Sequence, residues 1–193
     1  TLFRSFVSDY SRTRRQILLR AVEGYLELMT GDSQFGVLDP VIRDRLGRKA
    51  LAMLEGLDLS HGHRARAFAL AGELYRAMEQ YAAAIEPLKQ SVELVRDNLT
   101  AWLSLGWCYK RTQRIDLAIH ALEEAMEVAP SEAIVHYNLA CYWSLAGNPR
   151  LAIMYLSQAF DLDPRYRDLV CKESDFDPIR EHPEFQALTS VIV

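Results

Sequence analysis

Five histidines and three cysteines are the side chains of this 193-residue chain best suited to bind a metal ion or act as nucleophiles. His61 and His63 flank a glycine and could share one metal ion, but no further ligand lies nearby in the sequence. Cys141 has no adjacent base that would activate its thiol. We therefore expect no metal, no cofactor and no catalytic residue, and we interpret the two histidines as part of a solvated loop.

The chain also lacks the short motifs that mark common catalytic and nucleotide-binding sites. It contains no glycine-rich phosphate loop, no H-E-x-x-H, no C-x-x-C and no G-x-S-x-G. A free-standing enzyme is accordingly the least favoured interpretation, and we expect a non-enzymatic protein.

Charge and hydropathy argue against two classes of partner. The formal net charge is −4 on a mixed-sign background, which gives no electrostatic reason to bind nucleic acid or an anionic membrane. No apolar run reaches the length of a membrane span, and three widely separated cysteines are unlike a secreted disulfide framework. We expect a cytoplasmic protein, and the start at Thr1 is compatible with removal of a leader or an upstream domain.

A set of apolar and small residues recurs with a period of 34 positions and predicts the helices that position the remaining side chains. The middle copy is Trp102, Leu105, Gly106, Tyr109, Ala118, Leu122, Ala125 and Pro130. The next is His136, Leu139, Ala140, Trp143, Ala152, Leu156, Ala159 and Pro164, and the preceding one is Phe68, Ala71, Gly72, Tyr75, Ala84, Leu88, Val92 and Asp97. Helical spacing within each copy predicts two helices that bury one face against each other.

This set resembles the tetratricopeptide repeat, whose signature is W-x2-L-G-x2-Y, then A-x3-F, then P. The resemblance implies an all-α fold: a right-handed superhelical solenoid of antiparallel helix pairs, with repeats at residues 65–98, 99–132 and 133–164. Each repeat leaves apolar faces that only its neighbours can cover. Such arrays are protein-interaction modules, so the resemblance also implies a protein or peptide partner.

The segments on either side of the repeats differ from them. Residues 1–60 predict a helical hairpin stacked on the array, in which Asp39 caps the second helix and Pro40 begins it, and Asp58 to Arg64 form a linker. Residues 165–193 resemble the capping tails of bacterial repeat arrays, with Phe176, Ile179, Phe185 and Leu188 covering the third repeat. The apolar end, residues 191–193, packs down or pairs with another chain.

The functional prediction starts from Trp107, which is rotated about 140° from Trp102 and away from the packing stripe. In the family this face of the first helices lines a concave groove. The predicted partner-binding groove consists of Arg66, Glu73, Leu103, Trp107, Lys110, Arg111, Tyr137 and Cys141. The alternative is that Trp107 and Tyr137 pack against an adjacent helix or under a terminal segment.

The groove lacks the carboxylate clamp by which some family members hold acidic chaperone tails. At the clamp positions this chain has Ala69, Glu73, Ser104, Ile134 and Asn138 instead of the required lysines, asparagines and arginine. We therefore predict a scaffold that captures another kind of protein segment, as a monomer or as a dimer through the N-terminal helices. Two alternatives stay open: a protein similar to secretion chaperones that holds hydrophobic clients, and a regulatory fragment of a larger enzyme.

Overall fold

A computed structural model describes residues 2–31, 38–55 and 61–190, with backbone alone along 2–12 and 61–62. Its α-helices are α1 Leu2–Thr30, α2 Pro40–Leu54, α3 His61–Ala77, α4 Tyr81–Leu94, α5 Leu99–Arg111, α6 Ile115–Val128, α7 Ala133–Leu145, α8 Pro149–Leu162, α9 Arg167–Val170 and α10 Pro183–Thr189. Two 3-10 helices, Pro164–Tyr166 and Ser174–Ile179, belong to the tail. The predicted all-α fold is confirmed.

Some predictions fall outside these residues: the side chain of His61, the start of the linker at 58–60, and the apolar end at 191–193. Within the described ranges, no helix has both the length and the apolar composition needed to cross a membrane.

The chain divides into two compact units, residues 1–96 and 97–193. The first unit holds α1 to α4 and the second holds α5 to α10. The division coincides with the junction between the first and second predicted repeats.

In the first unit, the N-terminal helix pair packs on the first repeat helix. α1 contacts both α2 and α3, and their shared core includes Leu19, Val22, Ala50 and Leu74. The predicted start of α2 is confirmed, since an Asp39 carboxylate oxygen accepts the Val41 N–H at 2.8 Å and Pro40 is the first helical residue. The predicted linker is wrong from His61 onward, because α3 begins at that residue.

Three helix pairs, α3/α4, α5/α6 and α7/α8, are joined by turns of the same conformation. One residue in each turn has a positive φ: Glu79 at 60°, Gln113 at 61° and Gly147 at 74°. The next residue donates its N–H to a carbonyl five positions back, at 2.8 Å for Gln80, 2.9 Å for Arg114 and 2.9 Å for Asn148. The 34-residue period of the sequence is thus a period of the backbone, in which a left-handed residue ends each first helix.

Close approach of the two helices explains the small residue in each first helix. A Cβ added at Gly72 would lie 2.4 Å from Leu88 Cγ, and one at Gly106 would lie 2.6 Å from Leu122 Cδ2. Both leucines are fully buried. Glycine is therefore required there by the neighbouring helix, despite its low helix propensity.

The tail packs against the last helix pair of the second unit. The 3-10 helix Ser174–Ile179, called the 174–179 turn below, contacts α7, and α10 contacts α8. Phe176, Ile179 and Phe185 are buried, while Leu188 is half-buried. The ring centroids of Phe176 and Phe185 lie 5.4 Å apart.

Candidate functional site

The outer face of α5 is the first part of the candidate site. Leu103, Trp107 and Arg111 follow one another at a spacing of four residues and so form one ridge of the helix. Trp107 is 37% exposed and Arg111 is exposed, whereas Leu103 is half-buried. The packing residues Leu105 and Tyr109 are buried, and Trp102 is half-buried. α5 therefore presents an aromatic ring and a basic side chain on a face that its own packing does not need.

Lys110 connects this ridge to the tail. Its ammonium nitrogen lies 4.7 Å from the centroid of the Trp107 ring and forms an ion pair with Asp175 of the 174–179 turn. The Lys110 and Asp175 side chains are both largely buried. The contact combines a cation–π interaction with a charge-assisted hydrogen bond, so Lys110 is held in a defined position.

Tyr137 and Cys141 of α7 lie beneath the tail. Tyr137 is 5% exposed, and its ring centroid lies 4.8 Å from that of Tyr166 and 5.8 Å, edge-on, from that of Phe176. Cys141 is also buried. The groove position predicted for Tyr137 is not accessible, because tail side chains cover α7; packing of Tyr137 under a terminal segment was the alternative. Whether they contact a partner stays a prediction.

The environment of Cys141 opposes a catalytic role for its thiol. Burial raises the thiol pKa well above its ordinary value, and the nearby carboxylates of Asp175 and Glu173 raise it further. A nucleophilic cysteine needs the opposite shift, because the thiolate is the reactive form. The structure thus gives this cysteine a packing position.

Among the described residues, Cys141, Glu173 and Asp175 form a possible metal-ligand set, with donor atoms within 4.8 Å of one another. Protein groups already contact both carboxylates. Lys110 supplies a positive charge to Asp175, and a Glu173 carboxylate oxygen accepts the Asp175 N–H at 3.1 Å. A cation bound to Asp175 would compete with Lys110. The geometry therefore favours an ion pair that connects the tail to α5.

The two groove residues predicted on α3 are engaged within the first unit. Arg66 Nε donates to the Glu23 carboxylate of α1 at 2.9 Å. Glu73 is buried and accepts two hydrogen bonds from Arg76, at 2.9 and 2.7 Å. Arg66 therefore fastens α3 to the N-terminal helix, and the charge of Glu73 is balanced on its own helix.

Two of the described histidines, His63 and His136, lie in repeat helices. His63 lies in α3, where a loop was expected. His136 stands at the position of the repeat tryptophan and is buried, as predicted for a packing residue. Its Nε2 donates to the Pro130 carbonyl at 2.7 Å, and its Nδ1 lies 3.0 Å from Oε1 of Gln158. This imidazole therefore fixes the proline that ends the preceding repeat.

Sequence reasoning missed the contact of Asp175 and Tyr166 with the candidate groove. A Lys110 to Asp175 pairing spans 65 residues, and no local period or motif links the two positions. The available signal was weaker: an acid preceding a phenylalanine in the tail, and a lysine beside an unexplained tryptophan on α5.

Comparison with known proteins shows the class of fold and a family match over part of the chain. Residues 75–140 match the tetratricopeptide repeat family model. The fold is shared with solved structures of MamA: one has a TM-score of 0.57 at 19% identity and covers 77% of this chain and 90% of MamA, and a second has 0.56 at 19%, covering 83% and 90%. Residues 75–140 therefore match tetratricopeptide repeats, which are typical of protein-interaction scaffolds, and the chain shares the helical fold of MamA.

A curated relative shares part of the chain. The BBSome complex member BBS4 homolog of Drosophila melanogaster is 30% identical over 99 residues, which are 46% of this chain and 20% of the relative. The chain thus matches about a fifth of the length of that protein.

Proposed function

We propose that this chain is a non-enzymatic scaffold that captures a protein segment on the outer face of α5. The observation that carries the proposal is the ridge of Leu103, Trp107 and Arg111, with its exposed indole ring. Aromatic residues at the centre of an interface often supply much of its binding energy, because they bury a large area at little entropic cost. This ridge therefore provides an apolar anchor point beside a positive charge.

The tail limits the surface available in the second unit. Tyr137 and Cys141 belonged to the groove predicted from the sequence, but Tyr137 packs against Phe176 of the 174–179 turn and Cys141 is buried. The proposed site is accordingly smaller and centres on Trp107. Lys110 takes part by orienting the indole through the cation–π contact, since Asp175 already neutralises much of its charge.

The chemistry of the site favours a segment with an apolar side chain close to an acidic one. The apolar side chain would cover the Trp107 ring, and the acid would approach Arg111. The curated relative is named as a member of a complex, which supports a role in assembly.

Selection from a random peptide library tests the proposal without a known partner. The immobilised chain is used for selection, and the affinity of each selected peptide is then measured by fluorescence polarisation. For Trp107→Ala we expect a loss of about 30-fold, which corresponds to roughly 2 kcal/mol for an interface hot spot. Arg111→Glu should weaken those peptides that carry an acidic residue.

Met154→Ala is a matched control, because Met154 of α8 is 41% exposed in the same unit. It should change the affinity by less than about twofold. The proposal is wrong if selected peptides bind Trp107→Ala as tightly as the wild type. It is equally wrong if the library yields no peptide while a control target yields several.

A further inference from the structure

The outer face of α1 carries apolar side chains that the first unit does not cover. Ile17 is 61% exposed and Leu28 is 65% exposed, and Ala21 and Gly24 lie between them along the same line of the helix. The opposite side of α1 carries Leu19, Val22 and Met29 into the core. The residues Ile17, Ala21, Gly24 and Leu28, called the α1 stripe below, are thus a second apolar face on one helix.

Among the residues that the structure describes, nothing packs closely against Gly24. A Cβ added there would meet nothing within 4 Å, unlike one added at Gly72 or Gly106. Glycine in a helix interior costs about 0.5–1 kcal/mol relative to alanine. The small residues Ala21 and Gly24 would instead permit another backbone to approach closely between the two large apolar side chains.

The α1 stripe is complementary to itself. Its members are symmetric about the midpoint between Val22 and Glu23, so an antiparallel second α1 would place Ile17 against Leu28 of the second copy, and Ala21 against its Gly24. A two-fold axis repeats both contacts, as an isologous interface requires.

The charges beside the α1 stripe also favour the antiparallel arrangement. Arg20 and Glu27 flank one side of the α1 stripe, and both are exposed. In an antiparallel pair, the flank that carries Arg20 and Glu27 meets the same flank of the second copy, so Arg20 of each copy lies near Glu27 of the other. In a parallel pair this flank would face the opposite flank of the second helix, and no Arg20–Glu27 pair would form. Within the part of the chain that the structure describes, neither residue forms an ion pair.

We propose that two copies of this chain associate through antiparallel contact of their α1 stripes. The interface consists of two Ile17–Leu28 contacts around a close Ala21–Gly24 centre, with two Arg20–Glu27 ion pairs at its edge. It is small, so we expect a concentration-dependent dimer with a Kd in roughly the micromolar range. The proposal is independent of the Trp107 site.

Sedimentation velocity of the full chain over a concentration series tests the proposal. Glu27→Arg should abolish dimers, because each copy then opposes Arg20 with a second arginine. The double variant Arg20→Glu and Glu27→Arg should restore them, which a merely structural role would not. Val41→Ser is the matched control, since Val41 of α2 is 64% exposed but lies outside the α1 stripe. Circular dichroism confirms that each variant is folded.

Cysteine cross-linking determines the direction of the two helices. In a Cys171→Ser background, which removes the exposed native thiol, Ile17→Cys mixed with Leu28→Cys should form a disulfide-linked dimer. Neither variant should do so alone. A wild-type chain that stays monomeric at all concentrations overturns the proposal. Dimers that persist in Glu27→Arg also overturn it, and so does cross-linking of Ile17→Cys with itself. The same holds if the α1 stripe binds a different protein and no second copy.

Discussion

The ammonium group of Lys110 forms an ion pair with the carboxylate of Asp175, which is 65 residues further along the chain. The pair joins α5 to the 174–179 turn, which itself packs on α7. Tail and repeat helices of the second unit are therefore connected by a charge contact as well as by the Phe176 ring. Because both side chains are largely shielded from water, this contact differs from the ion pairs on the surface.

Loss of one partner of this pair should destabilise the second unit. Asp175→Asn leaves the Lys110 ammonium shielded and without its counter-charge, so we expect the free energy of unfolding to fall by about 3 kcal/mol. The double variant Lys110→Met and Asp175→Asn should recover most of that loss. Urea unfolding followed by circular dichroism measures both. Effects that simply add would contradict the proposed coupling.

A surface ion pair provides the control for this measurement. Lys89 and Glu86 lie 3.7 Å apart on α4, and both are well exposed. Lys89→Met should therefore change the unfolding free energy by less than about 0.5 kcal/mol.

Phe176→Ala should release the tail from α7. The ring is fully buried between Tyr137 and Phe185, and its loss should cost roughly 3–5 kcal/mol. Cys141 would become accessible, so in a Cys171→Ser background its rate of reaction with a thiol reagent should rise more than tenfold. Leu169→Ala, at an exposed position in the same tail, should leave the rate unchanged. An unaltered rate in Phe176→Ala would show that the tail does not protect the thiol.

The helices were predictable because their apolar spacing and small residues are local features of the sequence. Asp39 and Pro40 marked the start of α2, and Gly72 and Gly106 marked where two helices touch. The contacts of Tyr137 were not predictable in this way. Its spacing is that of a groove residue, and what covers it is a ring 39 positions later that no period connects to it.

The boundary at His61 shows a second limit of local reasoning. The stretch from Asp58 to Arg64 contains a glycine and two histidines, which predicted a linker. The helix nevertheless begins at His61, because the apolar residues that follow, such as Ala65 and Ala67, are buried. Tertiary burial outweighs the low helix propensity of Gly62.

Adding one methyl group should have opposite effects at two glycines of the first unit. Gly72→Ala forces a Cβ to 2.4 Å from Leu88 Cγ and should cost about 1–3 kcal/mol. The Cβ added by Gly24→Ala meets no atom of the described residues within 4 Å, so this variant should stabilise the unit by about 0.5–1 kcal/mol. Thermal unfolding at low protein concentration compares them without a contribution from association. A destabilising Gly24→Ala would contradict the open space assigned to that face.

Alkaline pH should unfold the second unit as its buried tyrosines ionise. Burial raises the pKa of Tyr137 and Tyr142 well above the ordinary tyrosine value near 10. The folded state therefore favours the neutral phenols. This contribution to stability is complete below the unfolded pKa and is lost as the pH rises above it. The chain has nine tyrosines, so the wild type is compared with the double variant Tyr137→Phe and Tyr142→Phe. The tyrosinate absorbance that only the wild type shows should appear together with the loss of circular dichroism; its appearance in a chain that stays folded would contradict the burial.

Tyr142→Phe separates this effect from general alkaline damage. Its hydroxyl is buried without a hydrogen-bond partner among the described residues, so removal should be neutral or slightly stabilising at pH 7. The alkaline unfolding midpoint should move to higher pH, because one fewer buried phenol must ionise.

Substitution of the two tryptophans of α5 should affect different properties: Trp102→Ala should lower stability, and Trp107→Ala should weaken peptide binding. Trp102 lies half-buried on the packing side, so Trp102→Ala should cost about 3 kcal/mol of unfolding free energy. Trp107 stands on the outer ridge and loses mainly its contact with Lys110, so Trp107→Ala should cost less than about 1 kcal/mol. Urea unfolding measures the stability of the two variants, and fluorescence polarisation measures their affinity for the selected peptides. If Trp107→Ala unfolds as readily as Trp102→Ala, the indole is a packing residue and the binding ridge must be sought elsewhere.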